Sequence, residues 1–154
     1  MRRSLTIVDI VTRDRNSLFE KLTGAFSVAN LNILGARAVT RKDGLAIDVF
    51  YVEDKNGGVV DDLKIRHLCE SSIRSFLADK ISPDELISEK KKKADRSQRF
   101  SNQDKLGERI ASQVDVYRDI SLNRTIVEVR APDQVGLLHL IAKTISTCGF
   151  SIQF

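Results

Sequence analysis

A chain of 154 residues, 42% hydrophobic and 30% charged with a formal net charge of +4, has the make-up of one folded domain or two small ones. No apolar run reaches the roughly 20 residues that cross a bilayer, and Met1-Arg2-Arg3-Ser4 runs into an alternating strand and not into a signal-peptide core. The basic excess is local, in Lys90-Lys91-Lys92-Lys93 with Arg96 and Arg99, and lacks the aromatic platform or motif of a nucleic-acid binder.

The chain begins with a β-branched, period-2 strand through Leu5, Ile7 and Val11. Asp14-Arg15-Asn16-Ser17 is turn material that can cap a helix. Leu18, Leu22, Ala25, Phe26 and Ala29 then recur at helical spacing, with Asn30 at the end. Ile33, Ala36, Ala38 and Thr40 start a second strand, and Asp43-Gly44 signals a tight hairpin into a third from Leu45 to Val52. After the Asn56-Gly57-Gly58 turn, Ile65, Leu68, Cys69, Ile73, Phe76 and Leu77 mark a second amphipathic helix within 61–80. Ser82-Pro83-Asp84-Glu85 opens a further helix, with Ser82 as N-cap and Pro83 in its first turn. That helix holds too few apolar residues to be core, and 94–105 reads as flexible linker. Val114-Asp115-Val116-Tyr117 is the candidate fourth strand.

The order βαββαβ predicts an α+β, ferredoxin-like sandwich over residues 1–80, closed by a strand at 113–119, with 81–112 as charged helix and linker. A shift of 119 positions lays Thr6 to Gly35 over Thr125 to Phe154 without a gap. Thr6-Ile7-Val8-Asp9-Ile10 meets Thr125-Ile126-Val127-Glu128-Val129, and Asp14, Leu18, Ser27 and Ile33 meet Asp133, Leu137, Ser146 and Ile152. Residues 122–154 are therefore expected to be a second copy of the unit, incomplete because it stops within its second strand (βαβ).

Catalytic chemistry is not legible. His67 and His139 have no carboxylate or cysteine at ligand spacing, and no nucleophile elbow, phosphate loop, HExxH or dinucleotide fingerprint occurs. Cys69 and Cys148 read as reduced, half-buried thiols of a cytoplasmic protein. No metal or cofactor is expected. The loops between first strand and first helix can instead offer backbone amides and a helix N-terminus to the carboxylate of an amino acid. Such a loop favours glycine for close approach and a polar residue on the following strand. The second copy has Gly136 and the first has Asn32, so the two together can complete one site if the loops face each other. The alternative is plain helix capping by Asp14 and Asp133, with Asn32 as a turn residue.

Three stretches carry a resemblance: Asp14-Arg15-Asn16-Ser17-Leu18-Phe19, then Asn32-Ile33-Leu34-Gly35-Ala36-Arg37, and Thr40 through Phe50. Together they resemble an ACT domain, in particular the first of the tandem ACT domains that end the bifunctional PII-protein uridylyltransferase/uridylyl-removing enzymes. Thr125 through Leu138 is similar to the start of the second. The resemblance implies that the chain senses a small amino acid, glutamine, and biases a catalytic region between adding and removing UMP on PII. It implies ligand contacts at Asp14, Arg15, Asn16, Ser17, Leu18, Asn32 and Leu34, and in the second copy at Asp133, Gln134, Val135, Gly136 and Leu137. The family loop reads Asp-Arg-Pro-Gly-Leu, whereas Asn16-Ser17 and Gln134-Val135 stand here. The alternative is a ligand-free module whose ACT-like units pair edge to edge into a homo-oligomer. In either case the segment itself is expected to be regulatory and not an enzyme, with no membrane or nucleic-acid partner.

Overall fold

The computed structural model describes residues 5–98, 111–132, 134, 136–150 and 152. Its elements are β1 (Thr6–Arg13), α1 (Leu18–Val28), β2 (Asn32–Thr40), β3 (Leu45–Glu53), α2 (Leu63–Leu77), α3 (Pro83–Gln98), β4 (Gln113–Asp119), β5 (Arg124–Arg130) and α4 (Leu137–Thr147). The expected α+β class holds, and α3 is an insertion in the βαββαβ order. β1, β3 and β2 form one antiparallel sheet with β3 in the middle. At the β2–β3 hairpin Gly44 adopts φ +78 and its N–H donates to Arg41 O at 2.9 Å, which is the Asp-Gly turn read from the sequence.

The inner face of the sheet carries Ala46, Phe50 and Val52, all buried, against α1. Phe50 stacks on Phe19 and tilts against Phe26, with ring centroids 5.6 and 4.7 Å away. α2 adds Cys69 and Ile73 to this core and Phe76 to a smaller cluster beside it. Burial, with the Glu70 charge second, pushes the Cys69 thiol up to about 12, so it stays a protonated packing group. Cys148 is exposed, so the expectation of two half-buried thiols gives way to one buried and one exposed, both free.

Two expectations change. Residues 113–119 do form a strand, but its ladder is with β5, Val114 opposite Val129 and Val116 opposite Val127, and not with β1. A hairpin closed by a four-residue turn costs far less loop entropy than pairing with a strand a hundred residues earlier. Asp119 secures that turn by accepting from the N–H groups of Ser121 and Leu122. The second correction concerns α3, which does enter the core: Ile87 is 6% exposed and packs with Ala25, Val28 and Phe76. Its few apolar residues are gathered at one end, and that end docks. Much of the expected linker lies outside the described residues.

α1 is covered on all sides. Leu22, Thr23, Ala25 and Phe26 have no exposed surface, and the helix contacts α2, α3 and α4. Thr23 satisfies its buried hydroxyl by donating to Phe19 O at 3.0 Å. Gly24 is where the other helices approach. A Cβ built there would lie 2.6 Å from Pro83 Cβ and 3.1 Å from His139 Nδ1. Gly24→Val is therefore expected to lower stability by about 2 kcal/mol, through overpacking that outweighs the gain in helix propensity of roughly 0.5 kcal/mol. Urea unfolding followed by circular dichroism checks this; a more stable variant would mean that α3 and α4 do not press on this helix.

Candidate functional site

The turn before α1 is held at both ends. Asp14 N–H donates to Gly44 O at 2.9 Å, and Arg15 Nη1 to Leu77 O at 2.7 Å, which ties the loop to the β2–β3 turn and to α2. Ser17 takes the left-handed conformation, φ 59, and no side chain caps the helix start. Gly136 takes the same conformation before α4, φ 78, again without a side-chain cap. Asn30 and Gly149, just past the ends of these two eleven-residue helices, are left-handed as well.

α1 and α4 pack antiparallel. His139, near the start of α4, meets Glu20 O and Gly24, while the end of α4 approaches the start of α1. At the latter junction a cavity of about 580 Å³ opens. One wall is the loop Asp14–Leu18, the floor includes Thr40 and Asp48, and the opposite wall is Ser146, Gly149 and Phe150.

The electrostatics of this cavity are unusual. Asp48 points inward from β3 in the phase of Ala46, Phe50 and Val52 and is 4% exposed. Among the described residues no hydrogen bond or cation reaches its side chain. Burial first, and the Asp14 charge second, push its carboxyl from 3.8 up to about 6. Among the described residues the one cation lining the cavity is Arg15, and it is directed to the Leu77 carbonyl. The first turn of α1 meanwhile brings the positive end of a helix dipole.

The opposite end of the α1–α4 pair is closed. Gly136 and Asn30 stand there where Ser17 and Gly149 stand at the open end. α3 covers both: a Cβ on Gly136 would lie 3.1 Å from Ile87 Cγ2, and Lys90 Nζ donates to Asn30 Oδ1 at 2.9 Å. α3 is fastened to α4 through Asp84, which accepts from Lys143 Nζ and lies 3.1 Å from His139 Nε2. The Lys143 hydrogen bond holds the Asp84 carboxyl below its ordinary value and raises the Lys143 ammonium above its own. His139 Nδ1 lies 2.9 Å from Glu20 O, so both ring nitrogens are engaged. Spacing along the chain gave His139 no carboxylate, but the fold supplies one. Glu20, Asp84 and His139 are close enough to share a metal ion. Lys143 already neutralises Asp84, however, and the ring is engaged on both sides, so the cluster reads as a lock between helices.

Of the residues expected to bind a ligand, Asp14, Arg15, Asn16, Ser17 and Leu18 line the cavity. The others do not. Asn32 Nδ2 donates to Glu53 Oε1 at 2.9 Å, and Leu34 is the extra residue where the β2 register shifts and is half exposed. Gly136 lies under Ile87, Leu137 is half-buried at the start of α4 and Gln134 is exposed; Asp133 and Val135 lie outside the described residues. Asn32 and Gly136 are thus not brought into one cavity. Thr40, Asp48, Ser146, Gly149 and Phe150 are site residues that sequence reasoning missed. Asp48 had a signal, a carboxylate in the same phase as the core residues of its strand. Thr40 is placed by its pairing with Ala46 in the β2–β3 ladder, and Ser146, Gly149 and Phe150 come from positions that only the packing of α4 brings near.

The fold defines an α+β protein of ferredoxin-like order with a cavity at a helix junction. Its sequence is similar to bifunctional uridylyltransferase/uridylyl-removing enzymes. It is 32% identical over 149 residues to that of Caulobacter vibrioides (strain NA1000 / CB15N), covering 95% of this chain and 15% of the relative. The match to the Phenylobacterium zucineum enzyme is 33% over 159 residues, covering 99% and 16%. For Azospirillum brasilense it is 29% over 154 residues, covering 98% and 16%. The chain thus spans about 15% of the length of these curated relatives. No family model matches the chain, and no solved structure matches it. No helix among the described residues is long and apolar enough to cross a membrane.

Asp48 also fixes a pH dependence. An acid whose pKa is higher in the folded state destabilises the fold when ionised. That cost is absent below the unfolded value near 4, grows towards 6 and is full above it. At about 1.4 kcal/mol per unit, Asp48→Asn is expected to stabilise the protein by up to about 3 kcal/mol near neutral pH. The gain should vanish below about pH 4, where the wild-type group is protonated in both states. Thermal unfolding of both proteins across pH measures this difference.

Proposed function

We propose that this chain is the amino-acid-sensing regulatory segment of a uridylyltransferase/uridylyl-removing enzyme, an ACT-type domain followed by part of a second copy. Its ligand is glutamine, bound in the α1–α4 cavity. The observation that carries the reading is that one wall of the cavity comes from the loop before α1 and the other from the end of α4. A ligand there touches both copies and stabilises one arrangement of the pair, which is how occupancy would reach a catalytic region elsewhere in the protein. Similarity over 95% of this chain but 15% of the relative supports a segment that serves a larger enzyme. The left-handed residues at matching positions around α1 and α4 support the reading of two copies.

A second reading, pairing through the sheet, draws on a different observation. Ile7 and Val11 are 58% and 61% exposed, and with Leu34, Val39 and Tyr51 they leave much of the outer face apolar. β1 has one edge without a partner among the described strands. Such an edge favours association with a further strand.

L-Glutamine at millimolar concentration is expected to raise the melting temperature of the chain, by about 2 kcal/mol of added stability once the ligand stands well above its Kd. Differential scanning calorimetry with the standard L-amino acids tests this; no shift with any of them sinks the sensing reading. Light scattering tests the other, which a strict monomer excludes.

A further inference from the structure

We infer that Asp48 is the counter-ion for a ligand's ammonium group, so that the cavity selects ligands carrying a primary ammonium beside a carboxylate and rejects the corresponding acids without it. This inference rests on, and deepens, the amino-acid-sensing reading above.

Asp48 costs the fold stability that an alanine or valine in the same core phase would not, because a carboxylate is largely taken out of water with no hydrogen bond or cation among the described residues to compensate it. Its residue is 4% exposed, and it lines the cavity together with Phe19 of the packed Phe19–Phe50–Phe26 cluster. The groups that face it come from four parts of the fold. From the loop before α1 come Asp14, which repels it, and Arg15, which is directed to Leu77 O. From β2 come the uncharged Ala38 and Thr40, from α1 Leu18 and Phe19, and from the end of α4 Ser146, Gly149 and Phe150. Among the described residues no cation answers the two carboxylates, so a cationic group entering the cavity finds a site that only it satisfies. Its proximity also returns Asp48 towards the ordinary carboxylate range.

The helix start supplies the opposite preference. An uncapped helix N-terminus favours a negative charge and disfavours a bare cation such as a metal ion. A zwitterion places its carboxylate on α1 and its ammonium on Asp48 and Asp14, and so uses both features. A metal ion uses one and is opposed by the other. A carboxylic acid without an ammonium leaves Asp48 uncompensated and brings a third negative charge into the cavity.

The test is titration calorimetry on the full chain with three probes: L-glutamine, 4-carbamoylbutanoate (the same skeleton without the ammonium) and 4-aminobutanamide (without the carboxylate). Wild type and Asp48→Asn are compared, with calcium and magnesium as separate arms. L-Glutamine is expected to bind wild type and to lose at least tenfold in affinity in Asp48→Asn. In wild type alone its binding should also weaken about tenfold as pH falls from about 7.5 to about 5, because Asp48 gains a proton. The carbamoylbutanoate is expected not to bind either protein. Equal binding of glutamine and carbamoylbutanoate, or unchanged glutamine affinity in Asp48→Asn, overturns the inference while leaving amino-acid sensing intact. If no amino acid binds wild type, the sensing reading falls and 4-aminobutanamide decides: Asp48-dependent binding upholds the counter-ion, and its absence overturns it. Binding of calcium or magnesium that displaces the amine also overturns it. If Asp48→Asn does not fold, the wild-type pH profile and the ranking of the three probes decide the matter.

Discussion

Three helices and a sheet converge on α1 because its residues other than Glu20 and Lys21 are small or apolar, in two different phases. Phe19, Leu22 and Phe26 face the sheet, and Thr23 and Gly24 lie on the side where α3 and α4 arrive. The close approach at Gly24 brings Pro83 and His139 together. Around it Asp84 joins the start of α3 to His139 and Lys143 of α4, with charges that are paired and hydrogen-bonded. Without that approach α4 would have no fixed seat on α1, and the cavity would lose its second wall.

The same contact makes the two ends of the α1–α4 pair unequal. At one end, Ile87 and Lys90 of α3 lie over Gly136 and Asn30. At the other, Ser17 and Gly149 border open space. The open end is also where the local costs gather: a serine in the left-handed region, a helix start without a side-chain cap, and a buried carboxylate that no cation among the described residues answers. None of these improves the fold, and the last two are the features that the proposed ligand, with a carboxylate and an ammonium, would satisfy.

Much of the architecture was legible along the chain. The strand alternation, the Asp-Gly turn and the apolar spacing of α1 and α2 are local consequences of φ/ψ preference and one buried face, so their periods report them directly. The loop Asp14–Leu18 was legible as a site element for the same reason, since turn residues leading into an amphipathic helix mark a helix start. Asp48 was half legible: its type and phase conflict, but only the cavity beside it explains why a carboxylate is tolerated there.

The sequence by itself determined the elements, their order and the likeness of Thr6–Gly35 to the chain's last thirty residues. Only the tertiary structure decided which strand pairs with Gln113–Asp119, that α3 docks through Ile87, that Asp84 reaches His139, and that Ser146 and Phe150 wall the cavity. The division has one physical cause. Periodicity records how each segment buries its own face, whereas these contacts join groups distant in the chain, through loop closure and a single glycine-sized gap on α1 that no period encodes.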